Sequence, residues 1–311
     1  MPTIKQIKRQ LAVAAISVVF SAIALTSATY AWFVTNSGVN ATTSTISAQA
    51  NGMVLQIVAG DIPDHGSDSS TVASGAGHEI SPSSTNDANQ WYVPATWKIA
   101  DVSTYQVASV DATGKYSLQG NDYYAYVAED FTLYTVNNTG QADVYLDGSN
   151  GSPITITKPE QASEDWFNKI KGTLRVGIVI NDKLRVVYAP VEPNGHGNDV
   201  NFTEGWSCVN PSDSSQTMKP TYEALSGIDL TNASGNWGAT KDGDSYVKPS
   251  GNNPQKIAEN VDYNGVHMKV VIWMEGTDAD CQNMSGLETG VENPTFDVTV
   301  SLVGIVPDST N

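Results

Sequence analysis

The chain has 311 residues, of which 40% are hydrophobic and only 16% are charged. This length allows a sizeable core in one large or two ordinary domains, and the low charged fraction argues against a coiled coil and against wholesale disorder. The 33 Asp and Glu residues exceed the 16 Lys and Arg residues, giving a net charge of -17. Phosphate backbones and anionic lipid are therefore repelled, which excludes nucleic acid as a partner. The composition is typical of a β-rich exported protein.

The N-terminus has the three parts of an export signal. Lys5, Lys8 and Arg9 precede an apolar run over residues 11–25, and small residues follow at 26–29. The positive charge stays in the cytoplasm, the apolar run enters the bilayer as a helix, and small residues fit the signal peptidase. The pattern predicts an N-terminal hydrophobic signal helix.

This signal segment has two alternative fates. Cleavage removes residues 1–31 as a signal peptide and leaves residues 32–311 as a secreted chain at the cell surface or in the extracellular matrix. The apolar character continues to Val34, which brings the stretch near the roughly 20 residues that cross a bilayer. The alternative is an uncleaved anchor, and the membrane is then contacted through the N-terminal segment alone.

The first half of the body is predicted to form strands around a loop. Residues 42–49 are polar and β-branched, and residues 53–58 form an apolar run after an Asn-Gly turn signal. Residues 59–90 are rich in Ser, Asp, Gly and Thr, which predicts an exposed loop. Aromatic and β-branched residues return at 91–99 and 123–136, and both stretches are predicted strands.

One helix is predicted, over Glu164–Lys171. Ser163 is its expected N-cap, acidic residues occupy the first turn and lysines the last. Trp166, Phe167 and Ile170 recur at helical spacing and are expected to pack in the core. Two short apolar runs, at residues 144–146 and 154–156, precede it and are separated by a turn.

The second half is predicted to contain a hairpin, a long insertion and two further strands. Residues 174–180 and 184–188 flank Asn181-Asp182, which tolerate the positive φ of a tight turn. Residues 190–264 are rich in Gly, Asn, Ser and Pro, which predicts a long surface insertion. Residues 266–274 are apolar, and residues 296–302 alternate strictly between apolar and polar.

Many strands, one short helix and no βαβ spacing predict an all-β fold. We expect a two-sheet antiparallel sandwich of jelly-roll type. Residues 32–311 are then a single β-sandwich domain with a long insertion at about 190–264, preceded by the signal helix.

Three segments resemble the TasA/camelysin family of Gram-positive surface and biofilm-matrix fibre proteins. They are the signal exit at Thr29-Tyr30-Ala31, the Leu174-Arg175-Val176 segment before the hairpin, and the segment 272–281, which reads IWMEGTDADC. In that family a SipW-type signal peptidase cuts after the small residue of a Thr-aromatic-Ala triplet. The resemblance therefore implies a single cut after Ala31, the last residue of the Thr29-Tyr30-Ala31 triplet, with Trp32 as the mature N-terminus.

The resemblance also implies a non-enzymatic structural role as a fibre subunit or biofilm-matrix scaffold, with copies of itself as partners. Donor-strand exchange is a physical route, because an extended segment can satisfy the unpaired backbone groups of a neighbour's sheet edge. Residues 33–47 suit it, since no Pro and no charge interrupt them. The expected assembly residues are Phe33, Val34, Val39, Thr43, Thr45 and Ile46. Their irregular spacing predicts that only part of the segment pairs.

Two other functions are alternatives. A monomeric or membrane-anchored adhesin would use aromatic residues to stack on sugars, and the candidates are Trp91, Tyr92, Trp97, Tyr123, Tyr124 and Tyr126. A camelysin-like metallopeptidase is less favoured. A zincin needs two His one helical turn apart, whereas His65, His78, His196 and His267 are scattered singly.

No cofactor is expected, although calcium is an option. Glu275, Asp278 and Asp280 offer oxygen ligands, but a solvated turn explains the same residues.

Cys208 and Cys281 are the only two cysteines, and an even number in an exported chain favours a disulfide.

Overall fold

A computed structural model describes residues 39–50, 55–62, 65, 71–72, 77–95, 105–158, 160, 162–191, 220–227, 236–251, 253–282 and 295–308. Most of these residues lie in strands, which confirms the all-β class. The signal segment, the cleavage residues Thr29, Tyr30, Ala31 and Trp32, and the assembly residues Phe33 and Val34 lie outside the described residues.

The strands follow one another along the chain in this order: β1 (Val39–Ala50), β2 (Leu55–Ala59), β3 (Thr71–Val72), β4 (Gly77–Ile80), β5 (Ser84–Thr85), β6 (Trp91–Pro94), β7 (Tyr105–Ala108), β8 (Lys115–Leu118), β9 (Asn121–Tyr124), β10 (Val127–Thr135), β11 (Ala142–Asp147), β12 (Ile154–Thr157), β13 (Leu174–Ile180), β14 (Lys183–Ala189), β15 (Glu223–Ser226), β16 (Gly238–Asp242), β17 (Ser245–Val247), β18 (Ala258–Val261), β19 (Val266–Met274) and β20 (Thr295–Ile305). Helix α1 spans Glu164–Thr173 and helix α2 spans Ala279–Gln282.

A nine-stranded sheet is built around β20. Its main path has the order β17-β16-β11-β20-β1-β3, and the other three strands lie beside this path, with β12 paired to β20, β18 to β11 and β4 to β1. One side of β20 pairs with β11 and β12, the two short runs expected from the sequence. Residues of β20 alternate as predicted, because Phe296, Val298 and Val300 are buried while Asp297 is exposed. The last strand therefore covers the core with one of its faces.

A six-stranded sheet has the order β15-β14-β13-β19-β10-β2. Its β13–β14 hairpin is confirmed, and Asn181 and Asp182 have φ values of 47° and 62° in the tight turn. Every residue of β13 is buried. On one side of this sheet the indole of Trp273 packs in a cluster with Trp91 and Val187. Two smaller sheets, β5-β6-β7 and β8-β9, complete the described strands.

Helix α1 begins and packs as predicted. The Ser163 hydroxyl accepts a hydrogen bond from the Trp166 backbone N–H at 3.2 Å, and Trp166, Phe167 and Ile170 are buried. The helix continues to Thr173, two residues beyond the predicted end, and β13 starts at the next residue. The end of α1 is thereby fixed to the start of a central strand.

Two stretches differ from the surface loops expected from their composition. Residues 59–90 include β3, β4 and β5, and Ile80, Ser83 and Thr85 are fully buried. The range 190–264 contains β15 to β18, which pair with both main sheets, and Trp237 is buried there. Buried Ser and Thr are tolerated because their polar groups bond to neighbouring backbone, and isolated aromatics in a polar stretch fill the core.

Candidate functional site: the N-terminal strand and the buried charge cluster

The N-terminal strand β1 lies inside the nine-stranded sheet, between β20 and the short strands β3 and β4. It runs parallel to β20 in ten Cα pairs, from Asn40 opposite Thr295 to Ala50 opposite Gly304. Within the described part of the expected donor segment, residues 39–47, every residue except Ser44 has a Cα partner. Residues 33–38 lie outside the described residues, so the expectation that only part of the segment pairs stays a prediction. The two paired segments come from opposite ends of the chain.

A bulge in β1 explains how an irregularly spaced segment pairs. Thr43 lies opposite Val298 and Thr45 opposite Thr299, so Ser44 is an extra residue between them. Without this residue, Val39 and Ile46 would fall on opposite faces of the strand, because residues alternate with period two. With it, Ile46 lies opposite Val300, and Ala41, two residues after Val39, lies opposite Phe296, so both positions follow the same alternation along β20.

The other edge of β1 is covered by two short strands. Val39 to Thr42 pair antiparallel with β4, and Ile46 and Ser47 pair antiparallel with β3. Among the described strands, β3 and β4 pair with nothing else. The cover over this edge is therefore much less extensive than the ladder to β20.

A segment that we name the strap, Ser81–Thr85, joins β4 to the six-stranded sheet. The Ser83 backbone N–H donates to Met274 O at 3.0 Å, and the Gly276 N–H donates to Ser83 O at 2.9 Å. The Ser83 hydroxyl donates to Ala125 O at 2.6 Å, and the Ser81 N–H donates to Tyr124 O at 2.7 Å. The strap is thus held from both sides.

A buried ion pair lies beside the end of β19. The Arg175 guanidinium is fully buried and donates through Nη2 to Asp278 Oδ2 at 2.5 Å. Its Nη1 donates to Gly172 O and Leu174 O, at 2.7 and 2.8 Å. Arg175 therefore satisfies carbonyls at the end of α1 and neutralises the carboxylate that follows β19.

Glu275 is a second buried carboxylate beside the same guanidinium. Its Oε1 accepts from the Thr277 N–H at 3.1 Å and the Thr277 hydroxyl at 2.7 Å, and its Oε2 accepts from Trp273 Nε1 at 3.1 Å. Burial raises the pKa of Glu275 to about 7, because desolvation outweighs the attraction of Arg175 and the hydrogen bonds. Desolvation likewise raises the pKa of Asp278, although Arg175 opposes it.

The three residues predicted as calcium ligands all have partners within the protein. Glu275 and Asp278 accept protein hydrogen bonds, and Asp280 Oδ1 lies 3.9 Å from Lys169 Nζ. Within the described residues, no group of three His, Cys, Asp or Glu side chains is arranged to hold a metal.

Cys281 is buried, and burial raises the pKa of its thiol. Cys208 lies outside the described residues, so the Cys208–Cys281 disulfide stays a prediction.

Two sequence segments on which the family resemblance rests meet in this cluster. Arg175 belongs to the first segment and pairs with Asp278 of the second. The strand β13, which carries Arg175, neighbours β19, which ends shortly before Asp278. Sequence reasoning did not single out Arg175. Its signal was a lone charge inside the otherwise apolar strand LRVGIVI, which requires a buried partner.

The residues of the alternative functions are mostly structural. Trp91, Tyr92 and Tyr126 are buried and therefore offer no exposed stacking platform, while Trp97 and His196 lie outside the described residues. The His65 ring stacks on Tyr263 with centroids 3.4 Å apart. His267 Nε2 lies 2.9 Å from Asp130 Oδ1 on the neighbouring strand.

A surface groove of about 470 Å³ lies between β7 and β8. Its lining includes the exposed side chain of Val107 and the ion pair of Lys115 and Asp122, whose atoms are 2.6 Å apart. Because all three side chains are at least partly exposed, the groove is open to solvent along this pair of strands.

No family model, curated protein or solved structure matches this chain. In the part of the chain that the structure describes, no helix has both the length and the apolarity needed to cross a bilayer.

Proposed function

We propose that this protein is an exported surface fibre subunit or biofilm-matrix scaffold of the TasA/camelysin type. Its copies assemble without covalent bonds when β1 of one subunit enters the sheet of the next. A SipW-type signal peptidase removes residues 1–31 during export, and the two main sheets form a sandwich of jelly-roll type. The observation that carries the proposal is the long parallel ladder between β1 and β20.

This ladder suits exchange because no short connection holds its two strands together. Asn40 and its partner Thr295 are separated by most of the chain, and parallel strands cannot share a tight turn. If β1 leaves, the edge of β20 loses ten paired positions. The same strand from another copy restores them, so exchange conserves the backbone pairing while joining two subunits.

The composition of the donor segment also supports exchange between copies. Each subunit carries a formal charge of -17 with the signal included, so copies repel one another. Residues 33–50 contain no charged side chain, so their insertion into a neighbour adds no charge to its sheet. Each interchain backbone bond then contributes roughly 0.5–1.5 kcal/mol, and burial of apolar residues adds to this.

A cysteine-mixing experiment tests the proposal directly. Ser47 and Ser301 are Cα partners across the ladder, at a separation that suits a disulfide. We would mix S47C protein with S301C protein, assemble filaments, oxidise them and run a non-reducing gel. We expect cross-linked S47C–S301C dimers, because the donor strand of one copy lies beside β20 of another.

Matched controls establish where any cross-link forms. S245C, on β17 of the same sheet, replaces S301C in a parallel mixture and should give no dimer with S47C, because β17 does not pair with β1. Each single variant alone accounts for bonds to the native cysteines. Filaments that form normally but contain no S47C–S301C dimer would show that β1 is not the donor.

A further inference from the structure

We propose that β4 and the strap act as a latch that keeps β1 in its own subunit, and that the turn at Gly276 closes this latch. The inference rests on the proposed role of β1 as the exchanged strand. It goes further by assigning a restraint on exchange to residues outside the donor and acceptor strands.

The latch covers the start of β1. Its β4 portion is only four residues long and pairs with Val39 to Thr42, with the buried Ile80 opposite Val39. Since β4 pairs with no other described strand, its position depends on the chain that follows it. That chain is the strap.

The strap is hydrogen-bonded to two elements outside the nine-stranded sheet, the end of β19 and the end of β9. On one side, Ser83 exchanges backbone hydrogen bonds with Met274 and Gly276 at the end of β19. On the other, Ser81 and Ser83 bond to the carbonyls of Tyr124, the last residue of β9, and of Ala125, which follows it. Ser83 and Ala125 are fully buried, so a lost bond here leaves a buried carbonyl unsatisfied.

Gly276 is the point where the turn and the strap come closest. A Cβ atom at this position would overlap the Tyr105 hydroxyl and lie 3.1 Å from Pro82 Cβ. Only glycine therefore allows the strap, β7 and this turn to meet as they do. The bonds of Glu275 to Thr277 and the Arg175–Asp278 pair fix the shape of the same turn.

These contacts form a continuous series from the buried charge cluster to the exchangeable strand. When the strap opens, β4 loses its anchor, and the first four residues of β1 lose one of their two neighbours. The consequence is a stepwise release, in which the latch opens first and the ladder to β20 separates afterwards. Monomers with a closed latch keep β1 and assemble slowly.

Two variants open the latch in different ways. Gly276→Ala overlaps the Tyr105 hydroxyl of β7 and crowds Pro82 of the strap, whose Cβ would lie 3.1 Å from the new methyl group. Ser83→Ala removes the hydroxyl bond to Ala125 with no added bulk. Thr135→Ala is the matched control, because its buried hydroxyl also donates to backbone carbonyls but lies at the far end of β10.

Hydrogen exchange of the secreted monomer, read by mass spectrometry, measures the latch. We expect both latch variants to exchange about tenfold faster at residues 39–42 and 77–80. The β13–β14 hairpin should exchange at the wild-type rate, which shows that the variants are folded. Filament formation should also start earlier than in wild-type protein and in Thr135→Ala.

The outcomes separate the latch from the exchange mechanism. Faster exchange in the strap with unchanged exchange at residues 39–42 would overturn the latch, and so would an equal effect of Thr135→Ala. The monomer measurement does not require filaments, so it remains decisive if the cysteine-mixing experiment rejects donor-strand exchange. Conversely, S47C–S301C dimers with an unaffected residue 39–42 segment would retain exchange and reject the latch.

Discussion

The β13–β14 hairpin and the β1–β20 ladder are held in the structure by different means. The hairpin closes through a two-residue turn, all of β13 is buried, and β19 pairs along the other side of β13. The ladder joins segments from opposite ends of the chain, and short strands cover its outer edge. A strand with a local partner loses little entropy on pairing, whereas β1 depends on a long loop closure. The proposed exchange therefore concerns β1, whose partner is distant along the chain, and leaves the hairpin in place.

The largest expected effect follows from removing the weakly connected strand. Deleting residues 33–47 while keeping the signal should leave secreted monomers that do not form filaments, because β20 then has no donor. Electron microscopy of the purified protein measures this, and circular dichroism checks that the remaining strands are folded. If the deleted protein still forms normal filaments, the segment is not the donor.

The second prediction concerns the ion pair next to the hairpin. Asp278→Asn leaves the buried Arg175 without its carboxylate and should reduce the free energy of unfolding by about 3–5 kcal/mol, as measured by chemical denaturation. Asp122→Asn is the matched control, because it breaks the Lys115–Asp122 pair, whose side chains are 39% and 52% exposed. That loss should be much smaller, because solvent screens an exposed ion pair. Similar losses in both variants would contradict the structural role of Arg175.

The third prediction is a pH dependence that originates from Glu275. Its pKa is raised from 4.5 to about 7 in the folded protein, so the folded state holds a proton that the unfolded chain releases. This stabilisation is complete below pH 4.5 and is lost as the pH rises through 7. Its loss should lower the free energy of unfolding by about 2–3 kcal/mol between pH 5 and pH 8.

Denaturation series of the wild type and of Glu275→Gln across this pH range measure the effect. Glutamine keeps the shape and cannot ionise, so the variant should lack this part of the slope. Glu259→Gln, at an exposed position on β18, should retain the full slope. An identical slope in wild type and Glu275→Gln would show that Glu275 does not titrate in this range.

The smallest effect is expected at the hairpin turn. Asp182 has a φ of 62°, which glycine adopts at lower cost, so Asp182→Gly should stabilise the protein by up to about 1 kcal/mol. Thermal unfolding measures the gain. Because the hairpin is not exchanged, the rate of filament assembly should be unchanged. A change in that rate would show that the two regions are coupled.

Features with short-range causes were predictable from the sequence. Helix α1, its Ser163 cap and the β13–β14 turn follow from local residue preferences, and β19 and β20 follow from apolar patterning. The strap was missed because its serines bond to backbone about 40 and 190 residues away. Arg175 was missed for the same reason, since its partner follows a different strand.

In the proposed strand exchange, the extra residue Ser44 would restrict which donor strands a subunit accepts. Because the insertion changes the alternation between Thr43 and Thr45, a foreign strand with regular alternation would present one half of its apolar residues to the wrong side. A donor shifted by one residue fails for the same reason. If β1 is exchanged as proposed, the bulge would therefore act as a recognition element that selects both the identity of the incoming strand and its alignment, and it would favour filaments made of a single kind of subunit over mixed ones.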